Sequence, residues 1–138
     1  MYRDFLQGDD IAFAETSTKC DWMMVYIQEA HAQDEWPISS GRYVPNGKPV
    51  IVNQPKSSTE RINVCREFMD TYDIEENNDL LSVVVDSPEY GNEFEKAYAP
   101  WPLRLYVIEN GQMMYIAEPS DCTYNVAELR MWLMKRYS

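Results

Sequence analysis

The stretch "LRLYVIENGQMMYIAE", residues 103–118, contains two apolar runs separated by the dipeptide Asn110-Gly111. Asparagine and glycine both tolerate positive φ, which a tight turn between antiparallel strands requires. The stretch therefore predicts a β-hairpin, and this hairpin supplies the antiparallel strands at one side of a sheet.

Two other segments predict strands. "DWMMVYIQ", residues 21–28, and "DLLSVVVD", residues 79–86, are continuous apolar runs of strand length, a pattern typical of strands covered on both faces. Between them Ser57 and Glu60 have the spacing of a capping box, and the apolar residues that follow predict a helix over residues 58–72. A helix between two strands favours a crossover connection and parallel pairing.

Two more helices complete the order of elements. "PEYGNEFEKAY", residues 88–98, predicts a short helix. Asn125 with Glu128 predicts the start of a final helix. One face of that helix is apolar and consists of Val126, Leu129, Trp132, Leu133 and Tyr137. The order predicts an α/β fold, a mixed sheet with flanking helices, in a single domain over residues 1–138.

Charge and hydropathy exclude several kinds of partner. The chain of 138 residues has a formal charge of −11, and its 12 lysines and arginines are scattered. Nucleic acids and anionic membranes are therefore not expected partners. No apolar stretch reaches the roughly 18 to 20 residues of a membrane span, and "MYRDFLQGDD" lacks the apolar core of a secretion signal. We expect no membrane segment, and the localisation stays open between a soluble intracellular protein and part of a larger assembly.

The chain offers no set of metal ligands or disulfide partners. Cys20, Cys65 and Cys122 are too few and too far apart for a disulfide framework or a paired metal site. Cys65 falls on the apolar face of a predicted helix, which is typical of a buried thiol. His31 with Asp34 or Glu35 lies on a turn without fixed ligand geometry, so neither a metal nor another cofactor is predicted.

"YIQEAHAQDEWP", residues 26–37, contains the only histidine, His31, directly after the first predicted strand. A run of prolines and glycines over residues 36–55 then predicts a long loop, and long loops in compact domains are often functional. Two interpretations of His31 stay open. It is either a proton donor in a site or a solvated turn residue that bonds a nearby backbone group or carboxylate.

The order of proline, strand, two-residue turn and return strand in "WPLRLYVIENGQM", residues 101–113, resembles the second half of the thioredoxin fold. In that fold the proline is cis and its loop faces the redox site, a place that Pro102 would take. "VYIQEAHAQDEW", residues 25–36, is similar to the signature of the iodothyronine deiodinases. The matching positions are Tyr26, Ile27, Glu29, Ala30, His31, Asp34 and Trp36. Later blocks, "VVVDS", "YAPWPLRLYVIENGQMMY" and "YNVAELRMWL", extend the resemblance to the C-terminus.

The resemblance implies a thioredoxin-like fold and the reductive deiodination of iodothyronines. By this resemblance His31 would be the catalytic proton donor and Glu29 would set its tautomer. Trp36 and Pro102 would border the binding site of an iodothyronine or another phenolic ligand. Members of the family are typically homodimers, so the resemblance also implies a second copy, or another protein, as a partner.

The chain departs from the family pattern at several positions. Gln28 replaces a glutamate, Glu35 replaces a glycine, and Pro55 stands where the family often has a histidine. Residues 1–19 contain no cysteine, and no selenocysteine is present, although the family places this nucleophile after its first core strand. The domain is therefore expected to be N-terminally incomplete relative to the family. Cys20 is a poor replacement, because a strand of about seven residues, roughly 23 Å long, separates it from His31.

Two accounts of function remain open from the sequence. In the first, the chain is the C-terminal part of a deiodinase-like enzyme that cannot complete the reaction alone because its nucleophile is absent. In the second, it is a domain that serves as a non-catalytic structural or interaction subunit of a larger assembly. Whether the chain is an enzyme is thus left undecided.

Overall fold

A computed structural model describes residues 19–37, 51–74, 81–117 and 125–137. Along the chain these form β1 (Trp22–Tyr26), α1 (Ser58–Thr71), β2 (Leu81–Val85), α2 (Glu93–Tyr98), β3 (Leu105–Glu109), β4 (Gln112–Ala117) and α3 (Val126–Tyr137). The predicted α/β class is confirmed. The described residues divide into two compact units, one with residues 23–37, 51–74 and 82–102, the other with residues 19–22, 81, 103–117 and 125–137. The one-domain assignment stays a prediction, and Cys122 lies outside the described residues.

β1 and β2 are hydrogen-bonded neighbours. The carbonyl of Tyr26, the last residue of β1, accepts a hydrogen bond of 2.9 Å from the N–H of Asp86, which directly follows β2. The carboxyl ends of both strands thus meet at one edge, as the predicted parallel pairing requires. The segments that leave the two strands consequently start side by side.

The capping box that predicts α1 is present. The Ser57 side chain accepts a hydrogen bond from the N–H of Glu60, and the Glu60 carboxylate accepts one from the N–H of Ser57, both at 3.2 Å. These bonds satisfy backbone donors that the first turn of a helix otherwise leaves open. Cys65 is buried on this helix, as predicted, and so is Arg61, whose side chain is only 1% exposed.

α2 is shorter than predicted, since residues 88–91 form a turn, Asn92 is the N-cap and the helix begins only at Glu93. Gly91 and Asn92 both have left-handed backbone conformations, with φ of 81° and 53°, which a right-handed helix cannot include. The buried carboxylate of Asp86 accepts hydrogen bonds from the N–H groups of Phe94 and Glu95, at 3.0 and 2.9 Å. Asp86 therefore ends β2 and satisfies the first donors of α2.

The predicted hairpin is confirmed. β3 and β4 pair antiparallel, and Asn110 and Gly111 turn the chain between them with φ of 52° and 74°. Val107 lies opposite Tyr115 and Ile108 opposite Met113, so Met114 is the extra residue of a β-bulge.

The core of the unit that contains the hairpin lies between the hairpin and α3. Leu129 and Leu133 are its buried centre, and partly buried residues of β3 and β4, among them Leu105, Val107 and Tyr115, pack against them. The Asn125 side chain accepts a hydrogen bond of 3.1 Å from the N–H of Ala127, so the predicted cap of this helix is present.

The strands are not covered on both faces, contrary to the prediction. Met23 in β1 and Val84 in β2 are exposed large apolar residues, and Leu81 is the fully buried residue of β2. Side chains of a strand alternate between its two faces, and here the open face also carries apolar residues. A continuous apolar run could not reveal which face is covered.

The packing of α3 on the hairpin leads to a stability prediction. We expect Leu133→Ala to lower the free energy of unfolding by about 2–5 kcal/mol, because it leaves a cavity in the core. Met131→Ala, on the same helix, is the control, because Met131 is 62% exposed while Leu133 is 2% exposed. Its effect is expected to stay within about 0.5 kcal/mol. Urea unfolding followed by circular dichroism measures both, and equal losses would contradict this packing.

Candidate functional site

The turn that follows β1 brings two of the predicted site residues, His31 and Trp36, together. Ala32 is buried, and its carbonyl accepts hydrogen bonds from the N–H groups of Glu35 and Trp36, at 3.2 and 3.0 Å. The chain thereby folds back, and the Trp36 indole lies beside the exposed imidazole of His31, with ring centroids 5.3 Å apart. A β-turn within residues 31–36 is thus what presents His31 and Trp36 together.

Trp36 also contacts the residue before Pro102. The indoles of Trp36 and Trp101 are stacked, with centroids 6.5 Å apart and planes inclined by 17°. The Trp101–Pro102 peptide bond is cis, as the resemblance to the thioredoxin fold predicts. Trp36 is 63% exposed. We call His31, Trp36 and Trp101 the aromatic surface, and Pro102 adjoins it through its bond to Trp101.

His31 has a backbone partner in this turn. Its Nδ1 lies 3.3 Å from the carbonyl oxygen of Trp36. A carbonyl oxygen only accepts, so the contact is a hydrogen bond when Nδ1 carries the proton. In that tautomer Nε2 is the nitrogen that can exchange a proton with a ligand or with water.

Glu29 is engaged elsewhere, with Tyr26 rather than with the imidazole. The Tyr26 hydroxyl donates a hydrogen bond of 2.6 Å to Oε1 of Glu29. Burial raises the pKa of Glu29, while the Tyr26 hydrogen bond and the charge of Arg61 act in the opposite direction. Burial and the neighbouring Glu29 raise the pKa of Tyr26, so the phenol stays protonated. The role of Glu29 in setting the His31 tautomer stays a prediction, and Nδ1 of His31 lies beside the carbonyl oxygen of Trp36.

A buried guanidinium lies beneath this edge of the sheet. Nη1 of Arg61 donates to the carbonyl of Asp86 at 2.5 Å and to Oδ1 of Asn92 at 2.7 Å. Burial lowers the pKa of Arg61, and the surrounding carboxylates of Asp86, Glu95 and Glu29 oppose this shift. The cation therefore links α1 to the end of β2 and offsets negative charge at the site.

The residue that sequence reasoning missed at this site is Gln54. It is buried, and its carboxamide hydrogen bonds with the backbone of Glu29. Gln54 lies in the irregular segment before α1, where no periodic pattern identifies a buried residue. The proline-rich loop around it was the available signal, and that signal does not single out one side chain.

The described thiols lack the features of a reactive nucleophile. Cys65 is buried, and burial together with Asp21 raises the pKa of Cys20, which disfavours its thiolate. Within the described part of the chain, no group of three or more histidine, cysteine, aspartate or glutamate side chains could hold a metal ion. Among the same residues, no helix is long and apolar enough to cross a membrane.

The raised pKa of Glu29 predicts a pH-dependent stability. A carboxyl whose pKa is higher in the folded state binds more protons there, so stability falls as pH rises from about 4.5 through the folded value. Glu29→Gln removes this loss, because a carboxamide carries no charge and still accepts the Tyr26 hydrogen bond. We therefore expect the stability of the variant relative to wild type to increase between pH 4 and pH 8.

Urea unfolding at several pH values measures this difference. Glu67→Gln, which neutralises an exposed carboxylate on α1, serves as the control. A wild-type chain that gains stability relative to Glu29→Gln as pH rises would show that the folded pKa of Glu29 is lowered instead.

Comparison with known proteins agrees with the sequence signature around His31. Residues 12–137 match the model of the iodothyronine deiodinase family. The thyroxine 5-deiodinase of Homo sapiens is 32% identical over 117 residues, which are 85% of this chain and 33% of the human protein. The enzymes of Rattus norvegicus and Ovis aries are 31% and 30% identical over the same share of this chain, and over 33% and 35% of their own length. The chain thus spans about a third of the length of these curated relatives. It belongs to the iodothyronine deiodinase family.

Proposed function

We propose that this chain is a deiodinase-type domain that binds an iodothyronine on the aromatic surface and releases no iodide by itself. Membership of the family supports iodothyronine deiodination at the level of the family. The observation that carries the proposal for this chain is the contact of an exposed, ionisable imidazole with one of two stacked indoles.

The aromatic surface suits a ligand with iodinated phenyl rings. Indole faces attract aromatic rings in offset or edge-on arrangements, and each such pair contributes about 0.5–1.5 kcal/mol beyond the burial of apolar area. Trp36 is 63% exposed, so a ligand ring can reach its indole. The His31 imidazole adds a group that hydrogen bonds a phenolic hydroxyl or donates a proton.

Reductive deiodination requires two kinds of protein group, a nucleophile that takes the iodine and a group that supplies a proton. A thiolate or selenolate takes the iodine, the electron pair of the carbon–iodine bond stays on the ring carbon, and that carbon gains a proton. A thiol reductant then displaces iodide from the oxidised sulfur or selenium, and a second thiol restores it. His31 is the group that supports the proton transfer in this chain. The thiols of Cys20 and Cys65 are unsuited to the first step, because one has a raised pKa and the other is buried.

Binding of thyroxine tests the aromatic surface. We expect Trp36→Ala to weaken binding by about two- to twelvefold, the equivalent of one lost aromatic pair. Tyr90→Ala is the matched control, because it removes an exposed aromatic side chain that does not belong to the aromatic surface. Isothermal titration calorimetry measures the three dissociation constants. Equal affinity in wild type and Trp36→Ala would contradict binding on this surface.

Iodide release tests the second half of the proposal. With thyroxine and dithiothreitol, we expect the 138-residue chain to release iodide no faster than the same mixture without protein. Release that disappears in a variant with alanine at all three cysteines would show that a cysteine acts as the nucleophile. Release that survives in this variant would show that no sulfur nucleophile is required. Either result contradicts the proposal.

A non-catalytic interaction subunit is the second candidate function. It is favoured by exposed apolar side chains on the hairpin, where Ile108 and Ile116 lie open to solvent. Ile108 alternates with Val107, which packs toward α3, so it belongs to the opposite face. A chain that is folded and binds no thyroxine would favour this second function.

A further inference from the structure

We propose that Gln54 is the positioning residue of the candidate site, whose carboxamide holds the turn that presents His31 and Trp36. This inference rests on the proposed function only for the role of the turn in ligand binding. That Gln54 fixes the turn follows from the hydrogen bonds of Gln54 alone.

The Gln54 carboxamide pairs with both backbone polar groups of a single residue. Its Oε1 accepts a hydrogen bond of 2.9 Å from the N–H of Glu29, and its Nε2 donates one of 3.1 Å to the carbonyl of Glu29. A neighbouring β-strand would bond the N–H and the carbonyl of a residue in the same way. Gln54 thus extends the support of the chain beyond the end of β1.

Three further contacts bind the same segment to the rest of the turn. Nε2 of Gln54 also donates to Oε2 of Glu35 at 3.1 Å, and its backbone N–H donates to Oδ1 of Asp34 at 2.8 Å. The N–H of Gln33 donates to the carbonyl of Val52 at 2.8 Å. The turn is therefore held on both sides of His31, at Glu29 before it and at residues 33–35 after it.

This hold matters because the His31 side chain itself is exposed. Each residue of a free turn samples several backbone conformations, and ordering the turn costs conformational entropy. Gln54 is 8% exposed, so its hydrogen bonds are largely shielded from competing water. The buried amide therefore fixes the backbone from which an exposed imidazole projects, before any ligand arrives.

Only a carboxamide of this length fits all the contacts. Glutamate cannot donate to the Glu29 carbonyl, and it would add a negative charge beside Glu35. Methionine has a similar length but makes none of these hydrogen bonds. Asparagine keeps both amide groups on a side chain that is one methylene shorter.

Nuclear magnetic resonance tests the positioning role directly, because the chain contains one histidine and its ring signals are unambiguous. In Gln54→Met we expect the nuclear Overhauser effects between the His31 imidazole and the Trp36 indole to disappear. Amide hydrogen exchange at Glu29 and Gln33 should become faster by about tenfold or more, while exchange in α1 and α3 changes by less than about twofold. Lys56→Met is the matched control. It removes the exposed 3.5 Å ion pair of Lys56 with Glu35 and leaves every Gln54 contact in place.

Gln54→Asn keeps the buried amide on a shorter side chain, and it is measured in the same way if Gln54→Met does not fold. Retained ring contacts with unchanged exchange at Glu29, in whichever of the two variants folds, would overturn the proposal. A uniform loss of protection through α1 and α3 would also overturn it, because it would indicate a general structural role. Thyroxine binding by the wild type is measured in parallel. If the wild type binds none but Gln54→Met still loses the ring contacts, the proposed function fails and the positioning role stands.

Discussion

The hydrogen bond from Asp86 to the carbonyl of Tyr26 joins the carboxyl ends of β1 and β2, and the rest of the site depends on this junction. Because of this hydrogen bond, the turn of residues 27–37 and the segment that leads to α2 begin at the same edge of the β1–β2 sheet. Asp86 acts here three times, since its carboxylate begins α2 and its own carbonyl accepts the Arg61 guanidinium. A single residue thereby fixes the ends of two strands and the start of one helix.

The site combines a buried charged layer with an exposed aromatic one. In the buried layer Arg61 faces the carboxylates of Asp86, Glu95 and Glu29, and burial raises the pKa of Glu29 and Glu95. Gln28 donates a hydrogen bond of 2.6 Å to Glu95, so this departure from the family pattern is accommodated within the same layer. The exposed layer holds His31, whose Nδ1 lies 3.3 Å from the backbone carbonyl oxygen of Trp36.

Local sequence signals predicted the parts of this structure that short-range physics determines. Asn110-Gly111 predicted the hairpin because both residues adopt positive φ, and Ser57 with Glu60 predicted the start of α1 because both side chains cap backbone donors. The resemblance to a known family placed His31 and Trp36 in one site, and the structure puts their rings in contact.

Other features depend on contacts between residues far apart in sequence. Gln54 reaches Glu29 across 25 positions, and no local pattern encodes such a pair. The late start of α2 reflects the left-handed Asn92, a conformation that its residue type permits but does not impose. The pairing of Glu29 with Tyr26 was likewise hidden, because the signature around His31 suggested an imidazole partner for that carboxylate.

The turn after β1 and the residue before Pro102 form one surface through the stacked indoles of Trp36 and Trp101. Nuclear Overhauser spectroscopy of the folded chain, with both indole spin systems assigned, measures this contact most directly. We expect cross-peaks between ring protons of Trp36 and Trp101. Their absence, with Trp101 in contact only with other residues, would contradict this contact.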